Sequence, residues 1–179
     1  RIFRESAIRG MITDGEYSFE RFNIIHQYQL ENKDSEPKNI VKYPWYESYI
    51  RNGAMGLQGY SGTEKEINFF EIQNIVKEFK SGAEKIWLKR MGREDTELWY
   101  EEVDFSEKDI LIIEWTHGNS KNYTGVDIPV LLNSTPKETL AHRRSRNRDG
   151  AVDSPFTTLV LALEQKLLRR DAHKAQIIL

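Results

Sequence analysis

Asn133-Ser-Thr-Pro-Lys-Glu-Thr-Leu-Ala-His-Arg-Arg-Ser-Arg-Asn-Arg-Asp149 is the stretch on which the reading of this chain turns. Thr135, Pro136 and Glu138 supply an N-cap, a first-turn proline and a capping-box glutamate. Their spacing predicts a helix that runs to about Arg146. Its end, with the loop after it, places the guanidinium groups of Arg143, Arg144, Arg146 and Arg148 within about two helical turns. Basic residues at a helix end complement the negative pole of the helix and are commonly a solvated face. Guanidinium forks also match phosphate oxygens, and several together neutralise charge on a transferring phosphoryl group.

Outward from this stretch, Asp109-Ile-Leu-Ile-Ile-Glu114 and residues 127–132 are nearly continuous apolar runs, the pattern of strands buried on both faces of a parallel sheet. On the other side, Ser154-Pro155 opens a second helix that turns Phe156, Leu159, Leu163 and Leu167 inward and ends near Arg170. Residues 176–179 read as a strand. Strand, helix, helix, strand in that order predicts an α/β fold, a three-layer sandwich with a mostly parallel sheet. Residues 85–90 and 97–105, joined at Gly92-Arg-Glu-Asp95, add an edge hairpin.

Further upstream, Thr63 and Glu66 have capping-box spacing, and Ile67, Phe70, Ile75 and Phe79 follow in helical register as far as Gly82. A helix is also expected over residues 18–31, from the recurrence of Phe19, Phe22, Ile25 and Tyr28. A charged loop follows at 32–39, and a short element begins at Tyr43-Pro-Trp-Tyr46. The glycines at 53, 56, 59 and 62 read as a flexible turn region. Residues 1–179 are therefore expected to form one domain, with 1–62 a divergent or inserted portion and 63–179 the core. The chain starts at Arg1 without methionine and reads as an excerpt of a longer one.

Composition narrows the function classes. A chain of 179 residues, 39% hydrophobic and 30% charged, has the make-up of a globular protein. Net charge is −2, from 26 basic and 28 acidic side chains, so no global field draws it to nucleic acid or anionic membrane, and an anion site must be local. There is no cysteine, which removes disulfides, thiolate metal sites and cysteine nucleophiles. His26, His117, His142 and His173 lack metal-ligand spacing, so no protein metal site is expected. Neither a membrane span nor a leader is legible, and the expected location is cytoplasmic.

The segments Ile112-Ile113-Glu114, Val126 with 127–132, Thr135-Pro-Lys-Glu-Thr-Leu140 and residues 144–149, taken in order, resemble the uridine kinase and phosphoribulokinase group of P-loop kinases. The helix read over 63–80, with Ser81-Gly82 before a hairpin, and the strand Ala172-His-Lys-Ala-Gln-Ile-Ile178 are similar to further parts of that group. The resemblance covers about residues 63–179 and implies a P-loop NTPase-like fold, ATP with Mg2+, and a small hydroxyl-bearing acceptor such as a nucleoside or sugar. It implies a lid formed by Arg144 and Arg148, with Arg143 and Arg146 assisting at the phosphates. Glu114, at the carboxyl end of its strand, either holds a substrate hydroxyl or a magnesium-bound water or is a strand-terminal carboxylate satisfied by neighbouring amides. By the resemblance Asp14 activates the acceptor, the other reading being an ordinary turn aspartate, and the loop with His117 and Asn119 faces the substrate. Two departures stand out. Trp115 takes the place of the group's usual glycine, and no Walker A motif occurs, because Gly56-Leu-Gln-Gly-Tyr-Ser-Gly-Thr63 lacks the lysine. The other reading left open is a non-catalytic kinase-like domain that binds a nucleotide or sugar phosphate, or an appended module of a larger carbohydrate or nucleotide enzyme. An arginine-rich nucleic-acid module is disfavoured by the acidic balance.

Overall fold

The computed structural model describes residues 1–92, 94, 96–146 and 152–179. Its elements are α1 (Ile2–Thr13), α2 (Phe19–Leu30), α3 (Lys38–Lys42), α4 (Tyr46–Gln58), α5 (Phe69–Lys80), β1 (Lys85–Met91), β2 (Leu98–Asp104), β3 (Val130–Leu131), α6 (Leu140–Arg146), α7 (Pro155–Asp171) and β4 (Ile177–Ile178). The chain is mixed α/β and divides into two compact units, residues 1–66 with 133–167 and residues 67–132 with 168–179. Among the described residues no helix is long and apolar enough to cross a membrane.

The first unit is built on α1 against α4. Phe3, Ala7 and Met11, four apart on α1, are buried, as are Tyr46, Tyr49, Gly53 and Leu57 on α4. A Cβ on Gly53 would sit 2.5 Å from the Phe3 ring, and one on Gly56 would sit 2.1 Å from the Ser6 hydroxyl. These glycines let the two backbones approach. At Gly53 and Gly56 the turn region read from the glycine spacing is thus helix, because their missing side chains serve close packing rather than a bend, whereas residues 59–62 are turn as expected. Ile25 of α2 joins this core, and Leu159, Val160 and Leu163 of α7 pack on it. Phe156, in the first turn of α7, meets Phe3 edge to face at 5.9 Å between ring centres.

A buried carboxylate fixes the same unit. Asp34, 4% exposed, accepts from Arg4 through Nη2 to Oδ1 at 2.8 Å and Nε to Oδ2 at 3.1 Å, and from the Tyr49 hydroxyl at 2.7 Å. The Tyr46 hydroxyl donates to its backbone carbonyl at 3.1 Å. Burial by itself raises the Asp34 carboxyl, but Arg4 and Tyr49 more than offset it and hold the group below the ordinary carboxylate range. Burial and then the nearby Asp34 charge push the Tyr46 phenol up; burial likewise raises Tyr49.

In the second unit α5 starts later than its sequence signal. Asn68 is the cap, accepting from the Glu71 amide at 3.2 Å, and Thr63 and Glu66 close a turn in which Glu66 instead accepts from the Gly62 amide at 2.6 Å. Gly62 has φ +70°, so the chain reverses there before the helix can begin. The expected hairpin forms, with Lys85 opposite Asp104 and Met91 opposite Leu98, and Ile86 is buried. Residues 109–114 are not a strand. Leu111 and Ile113 pack beside Phe69, Val76 and Tyr123, whereas Ile110 and Ile112 are 78% and 83% exposed. The apolar run has one covered face, and no ladder holds it among the described residues. Only Val130 and Leu131 of 127–132 are strand, paired in parallel with Ile177 and Ile178.

Removing the Arg4 guanidinium strands a buried charge, so Arg4→Met is expected to cost about 3 kcal/mol in urea unfolding at neutral pH. The folded pKa of Asp34 is depressed, so its contribution is complete above the ordinary aspartate value of about 3.9 and is lost as pH falls through the lower folded value. The gap between native and Arg4→Met should accordingly close below about pH 4. Gly53→Ala is expected to cost about 1–3 kcal/mol by overpacking against Phe3.

Candidate functional site

The helix that carries the arginines is entered as its sequence dictates. The Thr135 amide donates to Glu138 Oε2 at 2.7 Å and the Glu138 amide donates to Thr135 Oγ1 at 3.3 Å, closing the capping box. The Thr135 amide, and after it the Thr135 hydroxyl that donates to Glu138 Oε2 at 2.8 Å, hold the Glu138 carboxyl below its ordinary range. Residues 136–139 form a turn, and regular helix starts at Leu140.

The three described arginines of this segment have different surroundings. Arg143 donates through Nη2 to the Pro136 carbonyl at 2.8 Å and through Nη1 to the Val152 carbonyl at 3.1 Å, while its Nε is buried without a partner among the described residues. It ties the start of the segment to the chain beyond residue 151. Arg144 is exposed and directs both Nε, at 3.1 Å, and Nη2, at 2.5 Å, to one oxygen of Asp153, Oδ2. Both partners are about half exposed, so the pair adds on the order of 0–1 kcal/mol to stability. Arg146 is exposed at the end of α6. Arg148 and Asp149 lie outside the described residues. Asp153 is steadied by its neighbour Ser154, whose Oγ accepts from the Thr157 amide at 3.1 Å and caps α7.

Asp14 lies just after α1 and receives three donors on Oδ2: the Ser48 hydroxyl at 2.6 Å, Arg51 Nη2 at 2.6 Å and Asn52 Nδ2 at 2.8 Å. The Ser48 and Asn52 bonds, with Arg51, depress its pKa. A carboxylate so held is a firm hydrogen-bond acceptor and a weak base. The donors occupy positions i, i+3 and i+4 of α4, a pattern legible only once those residues are known to be helical.

Glu114, His117 and Asn119 belong to the second unit. Glu114 is exposed at the end of 109–114. The Trp115 ring touches Phe69 at 5.6 Å, His117 at 5.6 Å and Tyr123 at 5.7 Å, so where the resembled group has glycine this chain has the centre of an aromatic cluster. Asn119 is 8% exposed and donates through Nδ2 to the Val130 carbonyl at 3.0 Å, which pins the loop to β3. Of the sequence-predicted residues, then, Arg143, Arg144, Arg146 and Asp14 lie in one unit and Glu114, His117 and Asn119 in the other. Sequence reasoning missed Asp153, whose only local signal is an acidic residue just before a helix-opening Ser-Pro. Among the described residues no three His, Asp or Glu groups gather as a metal cluster.

No protein-family profile matches the chain, and no solved structure matches it significantly. A bifunctional alpha-galactosidase/sucrose kinase from Mediterraneibacter gnavus is 46% identical over 130 residues, which cover 73% of this chain and 14% of that protein. The chain thus corresponds to a small part of a much longer relative, and the match points to a kinase-related module.

The contacts of Arg143 and Arg144 predict different consequences on truncation. Arg143→Ala frees two carbonyls and is expected to cost about 1–3 kcal/mol, whereas Arg144→Ala, at a half-exposed pair, should stay within about 0.5 kcal/mol of native. Thermal or urea unfolding of the two variants checks the order.

Proposed function

We propose that this chain is the acceptor- and lid-bearing part of an ATP-dependent sugar phosphotransferase of the uridine kinase and phosphoribulokinase type, with sucrose or a similar small sugar as the hydroxyl acceptor. The observation that carries the reading is the 46% identity over 130 residues to a protein whose name includes sucrose kinase, in a chain whose own arginine-dense segment has the chemistry for phosphate. The parallel pairing of β3 with β4 is consistent with a larger three-layer sandwich in which these strands take part. The phosphate-wrapping glycine loop of such an enzyme would come from sequence outside these 179 residues, since they contain no Walker A pattern. A compartment that holds ATP, the cytoplasm, is the corresponding location.

The residues fit the phosphate end of such a reaction. When bound, ATP with Mg2+ supplies the transferable phosphoryl group. Arg144 presents an exposed fork held, among the described residues, by a half-exposed carboxylate, and Arg148 comes four residues later in the sequence; both would neutralise phosphate oxygens as charge develops on them. Arg146 adds positive charge, and Arg143, joined to two carbonyls, orients the segment. Asp14, held by Ser48, Arg51 and Asn52, would accept a hydrogen bond from an acceptor hydroxyl and orient it, which suffices where the transition state is loose and little proton abstraction is required. Glu114, His117 and Asn119 belong to the other unit, and their substrate role is carried by the resemblance alone. A non-catalytic module within a larger carbohydrate enzyme is favoured by the small share of the relative that the chain spans.

Arg148→Ala in the full polypeptide separates the two. A catalytic lid predicts that ATP-dependent phosphorylation of sucrose falls by about 10²-fold or more, the loss typical of one transition-state charge partner, with the melting temperature unchanged. Unaltered turnover rules out the lid assignment, and no turnover in the native polypeptide favours the non-catalytic module.

A further inference from the structure

Two segments of the second unit alternate between covered and open side chains, and on both the open positions are aliphatic. In 109–114 Leu111 and Ile113 pack beside Phe69 and Val76, while Ile110 and Ile112 are exposed. Through β3 Leu131 is buried, and Ile128, Val130 and Leu132 are 59%, 42% and 63% exposed. A strand that keeps one face in water carries polar residues there, whereas near-continuous aliphatic runs belong to parallel strands covered on both faces. The backbone is open as well. The Ile177 and Leu179 amides turn to the Pro129 and Leu131 carbonyls, at 3.4 and 2.9 Å, so the intervening Ile178 turns its amide and carbonyl to the far edge of β4. Sheet pairing ends with β3 and β4, so among the described residues no strand meets that edge and none pairs with 109–114.

Open side chains and open backbone together select the occupant. A small apolar molecule or a lipid surface would cover the aliphatic positions and leave the edge amides and carbonyls buried without partners. A strand satisfies them. A second copy applied edge to edge through a twofold axis would pair β4 with itself antiparallel, whereas the ladder of β3 and β4 is parallel. Parallel strands are joined within one chain by a crossover, whose helix packs on the sheet face. A polypeptide as long as the relative from Mediterraneibacter gnavus, of which the matched residues make up 14%, has chain to supply such a unit. We propose that this face is an intramolecular docking surface. A β-strand from another part of the same polypeptide adds in parallel to the open backbone of this unit, and its crossover helix covers Ile110, Ile112, Ile128, Val130 and Leu132. The surface is present whatever reaction the polypeptide carries out.

The test is hydrogen exchange, read by mass spectrometry, in the 179-residue chain and in the full polypeptide. Peptides spanning 109–114 and 176–179 are expected to exchange at least about 100-fold more slowly in the full polypeptide, because new ladder bonds close their amides. Ile112→Lys and the milder Ile112→Ser should remove most of that slowing at 109–114, yet leave the melting temperature of the 179-residue chain unchanged, since Ile112 is exposed there. Val41→Lys, at an exposed position of α3, should alter exchange at 109–114 in neither polypeptide. Slow exchange across α1 and α4 shows that each variant has folded. Equal exchange at 109–114 and 176–179 in the two polypeptides overturns the proposal, as does slowing that both Ile112 substitutions leave intact. Slowing that arises in the 179-residue chain alone and rises with its concentration puts a second copy on the face and overturns it too. Sucrose phosphorylation enters none of these readouts, so the phosphotransferase reading stands or falls apart from them.

Discussion

The buried Asp34 carboxylate is the constraint from which the arrangement of the first unit derives. Its two oxygens are shared between Arg4 of α1 and Tyr49 of α4, so the pair of helices that forms the core cannot slide without uncovering a charge. With α1 fixed, Phe3 has one position, under Gly53 and against Phe156. Phe156 sits in the first turn of α7, and the cap of α7 sets Ser154, hence Asp153 and Val152 beside it. The anion that Arg144 meets and the carbonyl that Arg143 meets are thus placed by a chain of contacts that starts at a carboxylate remote in sequence.

This dependence explains what the sequence could and could not reveal. Signals confined to one turn of chain were legible: the capping box of Thr135 and Glu138, the Ser154 start of α7, the hairpin of β1 and β2, and the stripe through Ile25. Features whose meaning depends on a distant partner were not. Gly53 and Gly56 weaken a helix in isolation, and only the presence of Phe3 and Ser6 across the interface makes them useful there. The same spacing of cap and glutamate occurs at Thr63 with Glu66 and at Asn68 with Glu71, and the reversal at Gly62 decides between them. Residues 109–114 carry the composition of a strand covered on both faces, but composition does not say which neighbours are at hand, and here one face is covered.

The candidate site was legible in its charges and not in its partners. The arginine density at 143–148 is plain in the sequence, yet nothing local distinguishes Arg143, whose guanidinium bridges two backbone carbonyls, from Arg144, whose fork faces solvent and one carboxylate oxygen. The distinction matters chemically. A guanidinium bound to carbonyls orients the chain, and one bound loosely to a carboxylate is available for exchange with phosphate. Asp14 gains its character likewise from three α4 side chains more than thirty positions away.

The central claim, that the exposed arginines of this segment take the phosphates of a nucleotide, is met most directly by observing the arginine Nε–H resonances of the 15N-labelled 179-residue chain during titration with Mg·ATP. The Arg144 and Arg148 signals are expected to shift together and saturably, while the Arg4 signal, committed to Asp34, stays where it is. Shifts absent from Arg144 and Arg148 while the nucleotide binds elsewhere, or no binding at all, would contradict the claim.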